Sequence, residues 1–239
     1  MKNIAERVFT RLPAYLPDLA AVTVRPKTTI IAKSAGAPHE LQDALVFVGL
    51  TVGIGFLLQA PTLPKDVDFF EAAAAMAAFK VIAILLFSAV VQGLFRLAGG
   101  SGGYLRTLTA YLYMVSPLYL ALVVLSLIAQ GLVRAYDPAL GVLVRSNPFH
   151  FLQYPEALAA FQREAPALAH AMTAVNSLGN LATLAWFLVC LGAFRHIHGV
   201  TRRRSAVAAA LIVIAWWPYA AAIFFLAIGM FGPVAPPLT

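Results

Sequence analysis

Charge is what this sequence has least of. Lys, Arg, Asp and Glu together make 11% of its 239 residues, while 61% are hydrophobic. A soluble domain carries roughly 25% charged and about 45–50% apolar residues. Too few polar side chains remain to cover a water-facing surface, and the mean hydropathy of +0.83 says the same. Most of the chain is therefore expected in lipid, with no separate soluble domain. Cysteine is nearly absent too. Cys190 is the only one, which excludes an internal disulfide; it lies in an apolar run and reads as a small buried hydrophobe. A secretory leader pattern is lacking: residues 1–40 hold six Lys/Arg and Pro13, Pro17, Pro26 and Pro38, with no clean apolar core before Leu41. The first span is expected to act as its own uncleaved signal. No Asn-x-Ser/Thr sequon occurs, which favours a bacterial setting.

What is present is a series of long apolar runs, and the expected fold is an all-α, polytopic bundle of about five transmembrane helices. The spans fall at about 44–60, 72–98, 105–133, 178–197 and 206–231, within a membrane domain over 41–231. Gly49, Gly53 and Gly55 in span 1 are small enough to admit a close neighbouring helix. Pro117 and Pro218 lie inside spans 3 and 5, and Pro117 should kink its helix. Gly99–Gly103 is a tight turn. Residues 134–172, interrupted by four prolines, form one external loop with room for a short interfacial helix over Pro155–Ala171. Residues 232–239 are an uncharged tail. Residues 1–40 form a basic, amphipathic interfacial segment. Ile4, Val8, Leu12, Leu16 and Leu19 recur near helical spacing there, with Lys2, Arg7 and Arg11 interleaved. Pro13 and Pro17 predict a break partway.

The basic residues set an orientation. With the N-terminus inside, twelve of the 17 Lys/Arg lie on the cytoplasmic side and four outside, leaving Lys80 within span 2. That asymmetry predicts a cytoplasmic N-terminus and an external C-terminus. Lys2, Arg7, Arg11 and Arg202–Arg204 are then the candidate contacts to anionic lipid. Basic residues scattered along membrane edges do not suit nucleic acid, and no nucleic-acid partner is expected.

Two segments carry a family resemblance. One is GGSGGYLRTLTAYLYMVSPLYLALVVLSLI, a Gly-rich turn followed by Arg106-Thr107-Leu108 and then Tyr and Ser116-Pro117 inside an apolar helix. The other is WFLVCLGAFRHIHGVTRRRSAVAAALIVI, containing Gly192-x-x-Arg195-x-x-His198-Gly199. Together, over about residues 40–231, they resemble the Yip domain family of Ypt-interacting membrane proteins. The resemblance implies five spans and a cytoplasmic N-terminal segment. The long acidic N-terminal domain and the Asp-Leu-Tyr-Gly-Pro segment of eukaryotic members are missing. It is therefore the shorter bacterial members that the chain resembles, and Rab-type GTPase binding is not implied.

Several residues could carry chemistry. Lys80 sits about 13 Å into its span at 1.5 Å per residue. It either lines a polar cavity or snorkels to the outer interface. Tyr113 and Ser116 beside Pro117 either satisfy backbone groups freed by the proline or line a narrow polar conduit. Arg195 and His198 close span 4. His196 and His198 point about 200° apart on a helix and cannot share one ion, so they read as cations at the helix C-terminus. Trp216 and Trp217 lie too deep for an aromatic belt and are expected to pack on a neighbouring helix. The ten carboxylates all fall outside the spans except Asp43 at an edge, so no acid–base pair is available at the midplane. Gly99–Gly103 has no Lys-Ser/Thr after it and is no phosphate-binding loop. Neither an enzyme, a cofactor nor a metal is expected. The leading reading is a scaffold or membrane-organising, trafficking-type protein of the bacterial inner membrane. The alternatives are a small transporter or channel built around Lys80 and the kinked spans 3 and 5, or an accessory subunit of a larger complex. The partners expected are the bilayer, anionic lipid and either further copies of the chain or another membrane protein.

Overall fold

The structure is a computed structural model that describes residues 2–62, 69–141 and 155–231. The expected tail 232–239 and the middle of the expected external loop, 142–154, lie outside the described residues. Among the described residues, eight α-helices carry the architecture. They are α1 (Lys2–Val24), α2 (Pro26–Lys33), α3 (Pro38–Gln59), α4 (Phe69–Leu97), α5 (Tyr104–Tyr136), α6 (Pro155–Glu164), α7 (Pro166–His198) and α8 (Arg202–Phe231). There is no strand among the described residues. Five of the helices, α3, α4, α5, α7 and α8, are long and apolar enough to cross a membrane. At most 28% of the span-defining window of each is buried within the protein. Leu57, Leu86, Leu181, Leu188, Ile214 and Trp217 point outward. That surface requires an apolar solvent. The protein is a multi-pass membrane protein.

α5 is the central helix. Its residues Thr107 to Met114 are all buried, and it packs most extensively on α3 and α7, then on α4. α8 packs chiefly on α4, and α2 lies across α7. Proline fixes several helix starts. Pro26, Pro38 and Pro166 each occupy the first turn, where a missing N–H costs nothing. At α3, Glu40 reaches back to accept from the Gly36 and Ala37 N–H groups at 2.7 and 3.1 Å.

Three expectations need correction. α1 runs unbroken through Pro13 and Pro17. The two prolines are four residues apart and share one exposed face, so their rings are not forced into the packed side of the helix. The segment 134–172 is not one loop. Pro155–Glu164 is a separate helix, and Pro166 starts α7 twelve residues ahead of the expected Leu178. Pro166 breaks the expected Pro155–Ala171 helix, and Ala-rich sequence after it sustains helix where hydropathy alone is weak. Of the span 1 glycines, only Gly55 meets another helix, at the Tyr119 ring; Gly49 and Gly53 face open space.

Candidate functional site

The junctions α2–α3, α4–α5 and α7–α8 lie at one end of the bundle and are tied together by hydrogen bonds. The Ser101 N–H donates to the His198 carbonyl at 3.0 Å. Arg106 Nε donates to the Ser34 carbonyl at 3.1 Å. Between them, His198 is 1% exposed, stacked on Phe95 with ring centroids 4.6 Å apart. Its Nε2 lies 3.0 Å from Thr107 Oγ1. Thr107 Oγ1 is 2.6 Å from Gln92 Oε1, and the Gln92 amide nitrogen donates to the Gly102 carbonyl at 2.8 Å. The network fixes its own protons. Gln92 gives its N–H to Gly102, so it shows Thr107 an oxygen; the Thr107 hydroxyl donates there, and His198 Nε2–H therefore donates to Thr107.

The glycines of the turn make room for this ring. A Cβ on Gly100 would lie 2.8 Å from the Phe95 carbonyl and 2.9 Å from His198 Nδ1, and one on Gly102 would lie 2.9 Å from the same nitrogen. Nδ1 is buried with no hydrogen-bond partner. Gly99 adopts φ +85° and Gly199 φ +64°, the left-handed conformation that ends a helix. At Gly199 the following N–H of Val200 returns to the Arg195 carbonyl. The two segments singled out in the sequence thus meet at one corner: Gly100 and Gly102 seat His198, Gly192 admits the Lys27 stem from α2, and Gly199 turns the chain.

Around this corner, among the described residues, the guanidinium groups pair with no carboxylate. Arg96 and Arg106 are near enough to act electrostatically on the His198 ring, and the Arg204 guanidinium lies over Gly99. Arg202, Arg203 and Arg204 are exposed, and Arg195 is half-buried. Among the described residues the two ion pairs are Arg11–Asp43 and Lys33–Asp18, both involving the α1–α2 segment. Arg11 therefore turns toward the bundle rather than projecting to lipid. Lys2 and Arg7 lie on α1, with side chains outside the described residues. No chemistry-bearing cluster of three metal-ligating side chains occurs among the described residues; His196 is exposed and His198 buried, on opposite sides of α7.

The chain matches no family model, no curated protein and no solved structure.

The remaining candidates are dispersed. Lys80 Nζ sits 5.1 Å from the centroid of the Tyr119 ring, a cation–π contact within the span region, and pairs with no carboxylate among the described residues. Tyr113 is not beside the proline in function: its ring faces a cleft lined by Arg11, Tyr15, Asp18, Asp43 and Phe47, with Lys33 Nζ 5.4 Å from its centroid. The cleft holds about 10 Å³, room for about one water. Ser116 Oγ donates to the Leu112 carbonyl at 2.9 Å, and Trp186 Nε1 donates to the Met114 carbonyl at 2.8 Å, one turn before Pro117 and beside it. Trp216 packs edge-on against Phe87, but Trp217 is 76% exposed. Successive helix residues diverge by about 100°, so both could not face inward. Gln92 and Thr107 were the residues that sequence reasoning missed as partners of His198. Their signal was present: Thr107 stands within the Arg106-Thr107-Leu108 segment, and Gln92 lies one helical turn before Arg96.

Proposed function

We propose that this chain is a non-enzymatic, membrane-organising protein of the Yip-domain type. It holds a fixed basic face against the anionic cytoplasmic leaflet, with the N-terminus inside and the C-terminus outside a bacterial inner membrane. One observation carries the reading. The α4–α5 and α7–α8 junctions are locked together through His198, Thr107 and Gln92, the α2–α3 junction is tied in through Arg106 and Ser34, and among the described residues no carboxylate pairs with the arginines around them. Rigid, uncompensated guanidinium groups at a membrane edge suit lipid phosphates or an acidic partner. Each basic side chain near an anionic surface adds about 1 kcal/mol.

The test is thermal unfolding in nanodiscs of increasing anionic lipid content. Stability should rise with anionic fraction, fall with salt, and rise less in Arg202→Gln/Arg203→Gln/Arg204→Gln. Equal stability in neutral and anionic bilayers would end this reading. The rival reading, a small transporter, draws support from the Lys80–Tyr119 contact within the membrane region. Flux of candidate solutes into liposomes, abolished by Lys80→Met, would favour it.

A further inference from the structure

α1 is built inside out for a helix lying in water. Arg11, Tyr15, Asp18 and Val22 recur at intervals of four, three and four residues and so form one stripe. That stripe faces the bundle. Arg11 pairs with Asp43, Asp18 with Lys33 at 2.8 Å, Tyr15 shares a hydrogen bond with Thr51 at 3.0 Å, and Val22 is fully buried. The opposite face holds Phe9, Leu12, Leu16 and Val24, which are 74%, 51%, 69% and 75% exposed. A helix washed by water turns its apolar stripe inward and its charges outward. From Phe9 onward α1 does the reverse, and this is how ionisable residues behave in lipid, facing protein and pairing there.

The depth of its contacts agrees. Thr51 lies seven residues beyond Ala44, where the apolar run of α3 begins after Asp43. That is about 10 Å along α3 at 1.5 Å per residue, within one leaflet of a hydrocarbon core about 30 Å thick. Phe47, whose ring centroid is 5.3 Å from that of Tyr15, lies about 5 Å along the same run. A helix resting on the headgroups would not place Tyr15 against both. α1 also packs on α3, a spanning helix whose Leu45 is itself 50% exposed.

We infer that α1 is embedded in the leaflet on the N-terminal side, with Phe9, Leu12 and Leu16 presented to lipid acyl chains and with Arg11 and Asp18 paired against α3 and α2. The occupant of that apolar face is the hydrocarbon of one leaflet. This extends the sequence expectation of an interfacial segment by reversing which side meets lipid, and it does not depend on the basic-face reading above.

Spin labels test it. Single cysteines at Phe9, Leu12 and Leu16, in a Cys190→Ala background and in nanodiscs, are probed with oxygen, which partitions into hydrocarbon, and a water-soluble nickel chelate. These positions are exposed, so labelling leaves the packed side of α1 untouched; Ser101, at the exposed turn, is the water reference. The oxygen-to-nickel accessibility ratio should be several-fold higher at all three than at Ser101. Nickel accessibility equal to that of Ser101 would overturn the inference. So would labels immobilised and shielded from both probes, the result expected if a second copy or another protein covers the face. As a second measurement, Phe9→Ser/Leu16→Ser should raise nickel accessibility at a label on Leu12; an unchanged ratio would count against lipid as the occupant.

Discussion

At one end of the bundle, His198, Thr107 and Gln92 join the α4–α5 and α7–α8 junctions through a chain of hydrogen bonds, and Arg106 ties in the α2–α3 junction through the Ser34 carbonyl. At the other, α6 rests on α5 and α7 through Val133, Leu140, Phe161 and Ala169, with a hydrogen bond from the Tyr136 hydroxyl to Glu164. The first end uses buried polar atoms, which fix a geometry because each is costly to leave unpaired. The second uses apolar contact, which tolerates change. The glycines do not divide by end: Gly100 and Gly102 are pressed against His198, but Gly55 meets the Tyr119 ring and Gly141, near α6, meets Arg134, whereas Gly49 and Gly53 touch nothing. What sets the first end apart is its buried polar network rather than its glycine content.

The comparison breaks most sharply at His198. His198→Ala should cost about 3–5 kcal/mol, since it opens a cavity beside Phe95 and strips Thr107 of its donor; Thr107→Val should cost about 1–3 kcal/mol by leaving Gln92 Oε1 and His198 Nε2–H unpaired. Thermal unfolding in detergent measures both. If His198→Ala lowers stability no more than a surface substitution does, the corner is not the rigid end. Next come the packed glycines. Gly100→Ala meets backbone and the His198 ring, and Gly55→Ala places a Cβ 2.5 Å from Tyr119 Cε1, so each should cost about 1–3 kcal/mol. A smaller effect follows at Lys80. Lys80→Met loses a cation–π contact of about 0.5–2 kcal/mol but removes an ammonium that costs about 2.5–3.5 kcal/mol in a span. The variant should be neutral or more stable by about 1 kcal/mol, with liposome flux unchanged; lost flux in a folded variant would revive the transporter reading. Smallest of all, Gly49→Ala and Gly53→Ala should each stabilise by about 0.5–1 kcal/mol, because alanine is the better helix former and meets no atom.

How much of this was legible depends on the kind of signal. Five long apolar runs bounded by charge showed the spans, because hydropathy integrates over some twenty residues. Helix ends were less legible: Pro166 starts α7 well before its apolar run becomes continuous, and α1 passes through two prolines. The partners of His198 were not legible at all as partners. Gln92, Thr107 and His198 lie on three helices, and helical periodicity says nothing about which faces meet. The stripe of Arg11, Tyr15 and Asp18 was readable at helical spacing, yet the interleaved leucines drew the eye to the face that turns out to be exposed.

In the proposed topology the hydrogen-bonded, basic end of the five-span bundle faces the cytoplasm. Accessibility of single cysteines at Ser101 and at Gln162, both exposed, tests it in a Cys190→Ala background with a membrane-impermeant maleimide applied to intact cells. The account predicts labelling at Gln162 from outside and at Ser101 only after the membrane is opened. Labelling of both from the same side would contradict it.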